Sequence, residues 1–196
     1  YSLKTGDLIK LDLARTNVDI SSTHRFLGKL PHRNTMLFST PGELWGIDRQ
    51  TLKLELIYRL PLDERSLSFE VESWLVDKSD IIWLAFTGNA LIGLNVKDFK
   101  LAYKLTSPED INDDIIYGLQ MDDDGDIWFS SHTGIYHFKV DGMFVEHYSV
   151  QDGIINKEFN EGAYTSFNKS MFAYGSVKGF TFFSPSELKR KSKKLP

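Results

Sequence analysis

The chain of 196 residues contains no cysteine. That excludes disulfides, cysteine-ligated metals and a thiol nucleophile, and leaves the compartment open, because exported and cytosolic proteins alike can do without the residue. Long apolar runs are missing as well. The longest, Ile81 to Phe86, is about six residues, against the roughly twenty that a membrane-spanning helix needs. No glycine-rich phosphate loop, no His-Glu-x-x-His pair and no Gly-x-Ser-x-Gly elbow occurs, and no stretch has the sustained 3.6-residue period of a helical repeat. There is no N-terminal signal pattern, and the first residues read as the inside of a strand, so a piece of a longer protein is expected.

What the sequence does contain is a repeat. Asp122-Asp-Asp-Gly-Asp-Ile-Trp-Phe-Ser-Ser-His-Thr-Gly-Ile-Tyr-His-Phe-Lys139 combines an Asp/Gly turn, a short apolar strand and a Gly-led strand, and the pattern returns along the chain. The triplets Met36-Leu37-Phe38, Ile82-Trp83-Leu84, Ile127-Trp128-Phe129 and Met171-Phe172-Ala173 are spaced by 46, 45 and 44 residues. Gly-led or equivalent strands follow at 43–48, 90–95, 134–139 and 179–184. Outer strands are expected at 52–59, 99–105 and 143–149, and inner ones at 71–77, 115–121 and 162–167. Four short strands per period of about 45 residues is the signature of a β-propeller blade.

The fold expected is therefore all-β: propeller blades, each a four-stranded antiparallel sheet, in about four to five blade equivalents, as a fragment of a larger propeller. The units fall at 1–22 (partial), 23–66, 67–111, 112–156 and 157–188 (partial), with 189–196 a basic linker to a following domain. Tyr1 to Leu13 reads as the third strand of an incomplete first blade. Composition agrees, at 41% hydrophobic and 13% aromatic, well outside the disordered class.

Three segments carry a family resemblance. Asp152-Gly-Ile-Ile-Asn-Lys-Glu-Phe-Asn160, the pair Asp122-x-x-Gly-Asp-Ile-Trp128 with Thr133-Gly-Ile-Tyr136, and the closing Gly175-Ser-Val-Lys-Gly-Phe-Thr-Phe-Phe-Ser-Pro185 resemble two-component regulator propeller repeats. The likeness is greatest over 107–190 and fades toward the start. It implies the periplasmic sensor region of a bacterial hybrid histidine kinase or diguanylate cyclase, an extracytoplasmic ligand-sensing domain that itself catalyses nothing. The implied partners are a small-molecule or oligosaccharide ligand and the adjacent domains of the parent receptor. The alternative is a structural or protein-interaction propeller without a small-molecule ligand, which the fold alone does not exclude.

Candidate chemistry is sparse. Trp74, Tyr117 and Tyr164 fall on successive inner strands, where rings would stack on a sugar face with Asn156, Glu158 and Asn160 as polar partners; interblade packing is the commoner use of such rings. Asp122, Asp123, Asp124 and Asp126 read as a hairpin turn rather than a calcium loop, because Gly125 stands fourth rather than sixth and Thr133 replaces the closing glutamate. His24, His32, His132, His137 and His147 form no metal-ligand spacing, so neither metal nor cofactor is expected. Residues 1–188 carry 18 basic against 27 acidic side chains, which disfavours nucleic acid. The run Lys189-Arg-Lys-Ser-Lys-Lys194 is read as a solvated linker making no membrane contact. Bare blade faces would allow self-association.

Overall fold

The computed structural model describes residues 25–61, 70–88, 90–106, 111, 115–155, 157–167 and 170–192. Tyr1 to Leu13, His24, most of the acidic 107–114 loop, Asn156 and the end of the basic run lie outside the described residues. The chain divides into two compact units, 1–70 and 71–196.

Among the described residues, the first unit contains one blade. Strands β1 (Arg25–Lys29), β2 (Thr35–Thr40), β3 (Glu43–Asp48) and β4 (Leu54–Arg59) pair antiparallel in chain order. Its small core is the stacked pair Phe38 and Trp45, with Ile47, Leu54 and Leu56 packed against it. Glu43 ties the edge, accepting from the Trp45 indole at 2.9 Å and from Arg59 at 2.7 Å.

The described residues of the second unit form three blades. Strands β5 (Val71–Val76), β6 (Ile81–Phe86), β7 (Ala90–Asn95) and β8 (Leu101–Thr106) form one, and β9 (Tyr117–Met121), β10 (Ile127–Ser130), β11 (Ile135–Lys139) and β12 (Phe144–Tyr148) the next. The last has three strands, β13 (Phe159–Phe167), β14 (Met171–Ser176) and β15 (Gly179–Phe183), as its sequence indicates. All six residues of β6 are buried, which explains its unbroken apolar run, since both faces of the strand are covered. One cluster, centred on Trp83, Phe129 and Phe138, fills the seam between the first two of these blades. A second, with Trp128, Ile135, Tyr148, Phe159, Phe172 and Tyr174, fills the seam to the last blade. Burying one such aromatic ring contributes about 1.5–3 kcal/mol, so these seams dominate the stability of the unit.

Two findings differ from the sequence reading. First, the triplet alignment slips by one residue in the last blade. Trp128 pairs with His137, three residues after Gly134, whereas Ala173 pairs with Phe182, three after Gly179. Ala173, not Phe172, therefore takes the place of Trp128. The β13–β14 hairpin is shorter, with Phe167 paired to Met171 where Met121 pairs to Ile127, and a one-residue slip exchanges the two faces of a strand. Phe172 and Tyr174 thus face the preceding blade, while Phe167, Phe180 and Phe182 are exposed on the opposite side. Second, β15 is followed by a helix, α1 (Pro185–Ser192), which runs from the end of the last unit into the stretch 189–196 that the sequence reads as a linker. Ser184 starts it, its carbonyl accepting from the Leu188 backbone N–H at 3.0 Å, and Pro185 suits a first helical position.

Candidate functional site

The Asp122 cluster is a hairpin turn built around one carboxylate. Asp122 Oδ1 accepts from the backbone N–H groups of Asp124 and Asp126 at 3.0 and 3.1 Å, and Oδ2 accepts from the Trp128 indole at 2.8 Å. The preceding blade repeats the device: Asp77 Oδ1 accepts from the Ile81 backbone at 2.9 Å and Oδ2 from the Trp83 indole at 2.9 Å. The recurrent Asp followed six residues later by Trp is thus a fastener between turn and seam. Asp122, Asp126 and His137 bring ligand-type atoms within 4.8 Å of one another. A cation from the protein already stands there. Lys189 of α1 places its Nζ 2.7, 3.0 and 2.8 Å from Asp122, Asp124 and Asp126, so this residue is held by carboxylates instead of lying in a solvated linker.

The network continues inward. His137 is fully buried and stacked on Trp128 at 4.2 Å, with its two ring nitrogens 2.9 Å from Asp126 and 2.9 Å from Glu146. Glu146 also receives Lys139 and the Tyr148 hydroxyl. Burial pushes the Asp126 and Glu146 carboxyls up, but hydrogen bonds outweigh it, from Lys189 and His137 for Asp126 and from Lys139, His137 and Tyr148 for Glu146, and hold both below their ordinary values. Burial pulls Lys189 down, and its bonds to Asp122, Asp126 and Asp124 reverse this and raise it.

The other end of the same seam is open. Tyr117, at the start of β9, and His132, in the β10–β11 turn, form one wall of a cleft of about 350 Å³. Glu158, Phe159, Asn160 and Glu161 at the start of β13 form the other, with Val177 of the β14–β15 turn. The Tyr117 hydroxyl and His132 Nε2 are 3.1 Å apart, their rings edge to face. A second cleft of about 260 Å³, lined by Val150, Ile155, Lys157 and Lys178, shares Glu158 and Val177 with the first. A bulge creates this geometry. Phe159 pairs with Ser176 and Tyr164 with Tyr174, so the four residues between the former pair of partners face a single residue, Gly175, across the ladder. Such bulges re-aim side chains and cluster beside functional sites; here Asn160 and Glu161 are exposed at the cleft.

The structure thus brings Tyr117, Glu158 and Asn160 together. It places Trp74 on β5 opposite Leu84, outside the described lining of the cleft. Tyr164 is built into the junction of three inner strands: its hydroxyl lies 3.1 Å from Ser73 Oγ, which also accepts from the Leu119 backbone at 2.9 Å. Sequence reasoning missed His132, Glu161 and Val177 as cleft residues. The four-residue bulge that exposes Glu161 depends on strand register, which the sequence pattern does not carry.

No protein-family profile matches the chain. A stretch of 62 residues, 32% of the chain, is 27% identical to histidine kinase P4 of Formosa agariphila and covers 4% of that protein. Among solved structures, the extracellular domain of a putative one-component system from B. thetaiotaomicron superposes with a TM-score of 0.72 over 93% of this chain, at 18% identity. The extracellular domain of a putative hybrid two-component system from the same organism gives 0.61 over 76%, at 17% identity. This chain spans 24% and 19% of those two domains. A gluconolactonase from Xanthomonas campestris gives 0.59 over 83% of this chain and 58% of its own length, at 12% identity. The fold is accordingly that of β-propeller blades, and the resemblance to two-component regulator propellers holds at the level of fold, with extracellular domains of bacterial signalling systems among its structural neighbours.

Proposed function

We propose that the chain is part of the extracytoplasmic ligand-sensing region of a bacterial membrane signalling receptor, of the two-component histidine kinase or diguanylate cyclase type. On this reading it is periplasmic, catalyses nothing itself, and binds a small molecule or oligosaccharide in the cleft between β9–β12 and β13–β15. Tyr117 supplies an apolar ring face for stacking, with a polar hydroxyl at its tip. Glu158, Asn160 and Glu161 supply acceptors and donors suited to ligand hydroxyls, and Tyr164 holds the cleft wall from behind.

The observation that carries the reading is the bulge. It exposes polar side chains of an inner strand beside an aromatic pair, at a seam between two blades, where a ligand would touch both. Shared fold with extracellular domains of signalling systems supports the receptor context. Among the described residues no helix is long and apolar enough to cross a membrane; on the proposed reading, anchoring and output belong to other parts of the parent protein.

A thermal-shift screen of the whole chain against neutral and acidic oligosaccharides and common bacterial metabolites tests this. A binder at a hundredfold excess over its Kd stabilises by about 2.7 kcal/mol. The expected result is a saturable shift that Tyr117→Ala removes. Absence of any shift, together with recovery of a stable protein partner, would favour the scaffold reading and return these rings to packing.

A further inference from the structure

The cleft and helix α1 stand at opposite ends of one interblade seam. Tyr117 opens β9 and lines the cleft, while Asp122 follows the last residue of that strand and holds Lys189. Five residues at about 3.3 Å each separate the two points by about 16 Å. Between them lie Trp128 of one blade and Phe172, Tyr174 and Phe183 of the next, with Leu188 of α1 packed against the same cluster. The helix is therefore attached by two consecutive side chains of opposite character, one apolar and one cationic.

Its docking has few intermediate positions. The Asp122 side chain is 4% exposed, so withdrawing Lys189 leaves a buried carboxylate without its cation, which is strongly unfavourable. A helix that either seats its lysine among three carboxylates or strands them behaves as a two-state element.

We propose that α1 is a latch on this seam, closed by Lys189 on Asp122, Asp124 and Asp126, and that closing the latch and filling the cleft favour one another. The second clause rests on the reading of the cleft as a ligand site. Both events hold β13–β15 onto β9–β12. A ligand touching Tyr117 and His132 on one blade and Glu158 and Asn160 on the other clamps the seam at one end, and Lys189 clamps it at the other. Events that favour the same seated state are coupled, and the coupling is reciprocal. Occupancy of the cleft is thereby transmitted to α1 and to whatever is attached to it.

Hydrogen–deuterium exchange on the full chain tests the latch without a ligand. Lys189→Met keeps an unbranched stem and good helix propensity while deleting the charge. The expected result is exchange at least tenfold faster over 185–192, with a smaller, several-fold increase at Tyr117–Met121 and 159–163. Asp124→Asn supplies a mild variant, since that side chain is 75% exposed and its carboxylate touches Lys189; it should give a two- to threefold increase over the helix. Unchanged exchange of the helix in both variants would overturn the latch. Faster helix exchange with unaltered exchange at the cleft strands would overturn the coupling. A failed ligand screen alters neither readout, whereas a ligand that binds wild type and Lys189→Met equally would refute the coupling and leave the ligand reading intact.

Discussion

The Trp128 indole N–H donates to Asp122 Oδ2 at 2.8 Å, joining the largest ring in the last seam to the turn that opens its own strand. The same oxygen receives Lys189 at 2.7 Å. One buried carboxylate thus serves three elements, the β9–β10 turn, the aromatic seam and helix α1.

Removing that carboxylate should be expensive. Asp122→Ala leaves an indole N–H and two backbone N–H groups without their acceptor and takes one of three carboxylates from Lys189, and each buried donor left unpaired costs about 1–3 kcal/mol. Asp77→Ala removes the equivalent acceptor from Trp83 without exposing a lysine, and should cost about 1–3 kcal/mol. Urea denaturation of the two variants checks the order.

Gly118 and Gly125 both have positive φ, at +59 and +92, but different surroundings. A Cβ on Gly118 would lie 2.6 Å from the Tyr164 ring, and one on Gly125 meets nothing within 4 Å. Gly125→Ala should cost about 1–2 kcal/mol from left-handed strain. Gly118→Ala adds an overpacking penalty of about 1–3 kcal/mol, so its melting temperature should fall further.

Acid stability should depend on the two carboxyls flanking His137. Because Asp126 and Glu146 are held below their ordinary values of 3.8 and 4.5, the unfolded chain takes up protons first as pH falls. Their contribution is fully present above those ordinary values and is lost as pH drops through the lower folded ones. Lys189 has the opposite sign: it is raised from 10.5, so its contribution is present below that value and lost at higher pH. Asp126→Asn and Glu146→Gln should flatten the acid limb of a stability–pH curve, and Lys189→Met the alkaline one.

Leu52, Phe99 and Met143 occupy the turn between the third and fourth strands of three successive blades, all with φ between 48 and 57. Left-handed backbone costs a side-chain-bearing residue about 1–2 kcal/mol, part of which glycine gives back in chain entropy. Met143 is 50% exposed, so little packing is lost. Met143→Gly should stabilise by up to about 1 kcal/mol, visible as a rise in Tm of about 2–4 °C for a chain of this size.

The blades were legible because their determinants are local. Period, turn residues and the apolar stripe of each strand lie in consecutive residues, and so the three four-stranded sheets and the three-stranded last one could be read from the sequence. The face of a strand was less secure: the shorter β13–β14 hairpin moves Phe172 to the opposite side from Trp128, and only pairing register reveals it. Of the candidate site, Tyr117, Glu158 and Asn160 were marked by type and position and do share a cleft. His132 and Glu161 were not, since a turn and a bulge carry them there. Lys189 was hidden by its neighbours, because a basic run reads as solvated until a buried carboxylate is found opposite one member.

Binding of a ligand across two blades in the cleft at Tyr117 is tested by calorimetric titration of the strongest screening hit. One site per chain is expected, with affinity at least tenfold weaker, about 1.4 kcal/mol, in Tyr117→Ala, and a similar loss in Asn160→Ala. Tyr164→Phe, which removes only the hydroxyl bonded to Ser73, should bind nearly as well as wild type. Unchanged affinity in both Tyr117→Ala and Asn160→Ala would contradict the claim.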